Sequence, residues 1–184
     1  MTIRARPIIS VDSAFAFLKQ RSAHPALIRH SELVLEVADD FLKELKEVGA
    51  TLDADIVRVG SVLHDAGKIL YWSELHGEGD AHEAAGQRLL ADHDWPERVN
   101  NCAIFTDRLA GGVCGIEELL VGLADTLWKG ARNAELELAV IDRVAQQLGR
   151  ERWDLFVSLD SAFERIAAGG HERLERSKIG SSCI

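Results

Sequence analysis

The chain has 184 residues, 47% of them apolar, with 21 basic and 30 acidic side chains and a formal charge of −9. That length suits one domain with a sizeable core. A mean hydropathy of −0.04, with no apolar run near the about 18 residues of a membrane helix, argues against membrane, secreted, fibrous and disordered classes. The acidic balance lacks the basic footprint of extended nucleic-acid binding, so the expected ligand is small, with room for a local basic pocket that holds phosphate.

The periodicity predicts helices throughout, beginning with a short one over about Val11 to Lys19. From Pro25 to Val48 the apolar residues Leu27, Val34, Val37, Ala38, Phe41, Leu45 and Val48 fall at steps of three and four, one helical stripe. Pro25 suits its first turn and Gly49 its end. Asp53 is the expected N-cap of a helix through Ile56, Val59 and Leu63 that stops at Gly67. A helix follows over about Ala81 to Ala91, and another from Pro96 to Phe105, before Gly111-Gly112 breaks the chain. Ile116 to Lys129 is apolar over a wide arc, the signature of a central helix. Asn133 caps a helix ending at Gly149, and a last long one carries Trp153, Phe156, Val157, Phe163 and Ile166 up to Gly169-Gly170. The expected architecture is a single all-α bundle over 1–170, with a flexible polar tail over 171–184.

Against this apolar background four polar residues stand out. His30 occupies a core position on the Leu27/Val34/Val37 stripe, His64 and Asp65 form an adjacent pair within Val62 to Lys68, and Asp125 lies inside Leu123 to Trp128. Buried imidazoles and carboxylates are costly unless paired or bound to a metal. Two of each from three helices make a candidate divalent-metal site in a bundle core. Singly, each has an ordinary explanation: a satisfied core histidine, a helix-end carboxylate, or an Asp125–Lys129 pair four residues apart.

The order His30, His64-Asp65, Asp125 resembles the HD superfamily of metal-dependent phosphohydrolases. "HDAGK" at 64–68 is similar to that family's core motif, "RHS" at 29–31 to the context of its first histidine, and "LADTLWK" at 123–129 to that of its last aspartate. The resemblance covers about residues 25–132. It implies an all-α fold and a divalent metal at the positions matching His30, His64, Asp65 and Asp125. Many members hold a second metal through two further histidines. His82, in "HEAAGQRLL" at 82–90, matches the first of these. Over 103–108 there is no histidine, and Asp107 is the candidate oxygen ligand in its place. One tightly held ion is therefore expected.

What the resemblance implies is hydrolysis of a small phosphomonoester or nucleotide by a metal-activated water. Asp65, His82 and Lys68 are the expected catalytic residues, with His82 near the attacking water or leaving group. Lys68, Lys129 and Arg108 are candidates for the substrate phosphate. Mn, Co, Ni, Fe, Zn and Mg all suit such mixed donors. Other readings remain open here: a di-iron oxygenase of related fold, which needs six ligands; a regulatory nucleotide- or metal-binding module; and a plain helical interaction protein, for which four polar core residues are coincidence.

His24, expected to be exposed, His93 and His171 rank below these, and His76 lies in a Gly-rich loop that could border the site. No Walker loop, GxSxG or GxGxxG occurs. Met1 to Ile9 has no h-region, so no signal peptide is expected. Cys102, Cys114 and Cys183 lack metal-type spacing and read as reduced, non-catalytic thiols of a cytoplasmic protein. The oligomeric state, including a homo-oligomer, is open.

Overall fold

A computed structural model describes residues 8–75, 77 and 79–178. The elements in order are α1 (Val11–Gln20), α2 (Pro25–Glu47), α3 (Ala54–Leu63), α4 (Ala81–Ala91), α5 (Glu97–Cys102), α6 (Phe105–Ala110), α7 (Ile116–Leu127), α8 (Ala134–Leu148), α9 (Arg152–Ala168) and α10 (Gly170–Lys178). Two 3₁₀ turns, Ala66–Ile69 and Trp72–Leu75, lie between α3 and α4. Among the described residues there is no strand, and no helix is long and apolar enough to cross a membrane.

The helix ends follow local chemistry. The Asp53 carboxylate accepts from the Ile56 amide, and the Asn133 side chain from that of Leu136, each satisfying an orphan first-turn donor. Pro25 opens α2 without wasting an N–H, and the His24 Nδ1 caps it by accepting from the Ala26 amide at 3.1 Å. Gly149 closes α8 at φ 62°, in the left-handed region that L side chains avoid.

Two apolar clusters form the interior. One joins α2, α7, α8 and α9 through Val34, Phe41, Leu120, Leu123, Leu127, Val140, Ile141 and Phe163, with Phe41 and Phe163 edge to face at 5.5 Å. The other joins α1, α3, α4 and α5 to the start of α2 through Leu18, Leu27, Ile56, Val59, Leu63, Leu90 and Val99. Each fully buried Leu, Val or Phe contributes about 1.5–3 kcal/mol. Helices α2 and α3 span the seam: Leu27 belongs to one cluster and Val34 to the other, as do Val59 and Val57.

Three sequence expectations need correction. Pro96 to Phe105 is not one helix, because the chain turns at Ala103-Ile104 and restarts as α6. That turn seats Phe105 against Gly122, where an added Cβ would lie 2.3 Å from the ring. The Asp53 helix ends at Leu63, ahead of Gly67, and continues as a 3₁₀ turn. The tail is not a frayed extension over 171–178. It is α10, and its Arg173, 5% exposed, donates to the carbonyls of Leu127, Trp128 and Ile166 at the C-terminal ends of α7 and α9. Arg176 adds a two-pronged pair with Glu36 at 2.7 and 2.8 Å. The rest of the expected tail, 179–184, lies outside the described residues.

Candidate metal centre

His30 sits one turn from both Leu27 and Val34, so the period that buries its neighbours turns its imidazole into the seam. His64 and Asp65 follow directly where α3 ends, and Asp125 lies in the last turn of α7. Four side chains from three helices converge. The His30 Nε2 is 3.2 Å from each of His64 Nε2, Asp65 Oδ2 and Asp125 Oδ1. The His64 Nε2 is 3.6 Å from Asp65 Oδ2 and 3.5 Å from Asp125 Oδ1. Around an ion with donors at about 2.0–2.2 Å, neighbouring donors of a tetrahedron or octahedron stand about 3.0–3.6 Å apart. The five separations fall in that range, and His30, His64 and Asp65 form a group able to hold a metal ion. The orientation is built in: the His64 Nδ1 is 2.9 Å from the Ser61 carbonyl, so its N–H donates there and Nε2 faces the cluster.

The electrostatics favour a cation. Burial opposes charge on Asp65, yet the charge of His64 and hydrogen bonds from His30 and His82 hold its carboxyl well below the usual range. Asp125 is also lowered, since hydrogen bonds from His30 and His64 outweigh burial. His30 resists charge through burial, but Asp125 and Asp65 raise its pKa to about 9. The cluster thus holds a proton among two carboxylates, at the place where a divalent ion would compete for the same electron pairs.

His82 stands on the other side of Asp65. Its Nε2 is 3.3 Å from Asp65 Oδ1, and its Nδ1 is 2.7 Å from Glu74 Oε2. The same Glu74 oxygen accepts the His82 amide at 3.0 Å. The hydrogen bond to Asp65 raises the His82 pKa against burial, with Glu74 adding to it. Helix α4 reaches this position because Gly67 and Gly86 are bare: a Cβ on Gly67 would fall 1.9 Å from the His82 carbonyl oxygen, and one on Gly86 3.0 Å from the Gly67 nitrogen.

Two cavities meet at Asp65, Lys68 and Asp125. One, about 510 Å³, is also lined by His30, Ala26, Leu75, Trp128, Lys129, Ser177 and Lys178. The other, about 320 Å³, reaches His82, Glu83, Phe105, Thr106 and Thr126. The Lys68 Nζ is 2.6 Å from Asp65 Oδ2. Lys129 lines the first cavity. Arg108 is not available to a phosphate, because it clasps the buried Glu118 at 2.6 and 3.1 Å and donates to the Val113 carbonyl. Asp107 is exposed and lines neither cavity. Thr106 faces the second cavity instead, its amide held by Glu83 at 3.2 Å.

The lower-ranked histidines fall elsewhere. His24 caps α2, half-buried against Trp72 at 4.1 Å where exposure was expected, and His93 packs edge-on against Phe17 at 5.4 Å. His171 is exposed on α10, and His76 lies outside the described residues. Cys102 and Cys114 are free and buried. Burial pushes the Cys114 thiol up to about 11 and raises Cys102 as well. Cys183 is outside the described residues. Glu74, Glu83, Trp128 and Lys178 are site residues that neither periodicity nor motif marks for the site. Of these, Glu83 and Trp128 fall within family-like segments.

No family model matches the chain, and no solved structure matches it. It is 26% identical over 142 residues to an uncharacterized protein of Methanocaldococcus jannaschii, an alignment covering 67% of this chain and 78% of that protein.

Proposed function

We propose that this chain is a cytoplasmic, metal-dependent phosphohydrolase of the HD type, acting on a small phosphomonoester or nucleotide. The observation that carries the reading is the convergence of His30, His64, Asp65 and Asp125 at metal-donor spacing beneath a cavity that also presents lysines. His30, His64, Asp65 and Asp125 would hold a divalent ion, which would supply charge to polarise a phosphoryl oxygen and lower the pKa of a water. Lys68, beside Asp65, adds positive charge for the phosphoryl oxygens. His82 keeps its Nδ1 toward Glu74 and presents Nε2 at Asp65, where it passes a proton between the attacking water and the departing ester oxygen. The P–O ester bond breaks, and the products are an alcohol and inorganic phosphate.

The test is metal analysis of protein purified without chelator, then a phosphatase panel with Mn²⁺, Co²⁺, Ni²⁺ and Mg²⁺. About one tightly held ion per chain and metal-dependent phosphate release are expected. A chain that binds no divalent ion, or that releases no phosphate with any of them, overturns the reading.

A further inference from the structure

Beyond the metal cluster, the larger cavity has an uneven charge. The whole chain carries more acid than base, yet among the described residues the only carboxylates lining this cavity are Asp65 and Asp125, the two candidate ligands. Its remaining charged lining is Lys68, Lys129 and Lys178. Lys68 is spoken for by Asp65 at 2.6 Å and so serves the cluster end. Lys129 has no carboxylate partner among the described residues, and Lys178 has only an exposed pair with Glu175, three residues back on the same helix. Such pairs are weak and easily exchanged for a better anion.

Lys178 is also not there by chance of a loose end. Helix α10 is pinned by the buried guanidinium of Arg173 on the carbonyls closing α7, by Arg176 on Glu36, and by Arg29 donating to the Arg176 carbonyl at 3.1 Å. The anchoring sets Lys178 and Ser177 on the same cavity that α7 and the residues just after it line with Asp125, Trp128 and Lys129. The same cavity is also lined by the apolar side chains of Ala26, Leu75 and Trp128. The cavity therefore brings lysines, apolar side chains and the candidate metal donors His30, Asp65 and Asp125, its floor, together within about 510 Å³, the usual range for a small-molecule site.

We infer that Lys129 and Lys178 form a second anion subsite, so that the preferred substrate is a small organic phosphate carrying another anionic group at its far end. This rests on the reading of the floor as the place where a phosphate ester binds. The lysines act as specificity residues: they touch the distal anion and not the reacting bond.

The experiment separates binding from turnover. Dissociation constants are measured by calorimetry on the full chain with divalent metal bound, for monophosphates and bisphosphates of straight diols three to six carbons long, each as its non-hydrolysable phosphonate analogue, a series that removes dependence on any one skeleton. For the best-fitting length the bisphosphate is expected to bind about tenfold tighter than its monophosphate, the size of one good added ion pair. In Lys129→Ala/Lys178→Ala this ratio is expected to fall to near one, and in Lys178→Glu to invert. Both positions are exposed, so thermal melts confirm the fold is kept. No bisphosphate preference at any length, or a preference that survives the double variant, overturns the subsite. Phosphate release is assayed separately with the hydrolysable esters. A lysine-dependent preference without any hydrolysis leaves the subsite standing and removes the phosphohydrolase reading. Hydrolysis without the preference does the reverse.

Discussion

On one side of Asp65, three helices deliver His30, His64 and Asp125 from within packed apolar stripes. On the other, His82 comes from α4, and the segment where the resemblance would put a second ion's histidine is the six-residue α6, which offers Thr106. The first side is fixed by the core, because moving any of its donors means repacking buried Leu, Val or Phe. The second is fixed by pairwise polar contacts: Glu74 with His82, Glu83 with Thr106, Arg108 with Glu118. Four mutually close donors need the first kind of support. A single oriented imidazole needs only the second.

The comparison is broken most severely by Asp65→Ala, since Asp65 serves both sides. Metal retention and phosphate release are expected to drop to background. Elemental analysis and turnover assays check this, and wild-type turnover in the variant would refute the shared role. On the second side, His82→Ala is expected to cost about 10²–10⁴ in turnover while metal content stays near one ion per chain. Loss of an ion in that variant would make His82 a ligand. Gly67→Ala is expected to share this defect, because the added Cβ pushes His82 away.

Arg108 and Asp107 sharpen the contrast. Arg108→Ala leaves a buried carboxylate unpaired, so a stability loss of about 3 kcal/mol by chemical denaturation is expected, with metal content unchanged. Asp107→Ala, at an exposed site, is expected to fall within about 0.5 kcal/mol and to alter neither metal binding nor turnover.

A pH dependence probes the first side alone. Because the folded His30 pKa is raised to about 9 from 6.5, its contribution is fully present below pH 6.5 and lost as pH rises through 9. Metal-stripped protein is expected to lose on the order of 3 kcal/mol over that window, and saturating metal to abolish the slope by displacing the proton. Equal slopes with and without metal, followed by thermal melts, would contradict the assignment of His30 to the cluster.

Much of the site is legible in the sequence. His30 and Asp125 lie within apolar helices whose periodicity tells where a side chain points, and His64 and Asp65 stand out as an adjacent polar pair where an apolar helix ends. Caps such as Asp53, Asn133 and Gly149 act within a few residues and are equally readable. What the sequence hides depends on distant partners. The turn at Ala103-Ile104 has no Gly or Pro to announce it and exists because Phe105 finds Gly122. Helix α10 has almost no apolar stripe, so its docking through Arg173 and Arg176 leaves no periodic trace. Glu74 meets His82 across a loop, and Lys178 reaches its cavity only because the chain folds back on α2 and α7.

The seam between the two apolar clusters carries one more consequence, in the language of cooperativity. The side chains of His30, His64, Asp65 and Asp125 meet where the two clusters adjoin. A protein divided in this way can open one half before the other. An ion gripped by donors from α2, α3 and α7 binds only when both halves are closed, so it penalises every partly open form by its full binding free energy. The bound ion would thus make two folding units behave as one, and the rate at which it escapes would report the rarest opening of the whole bundle.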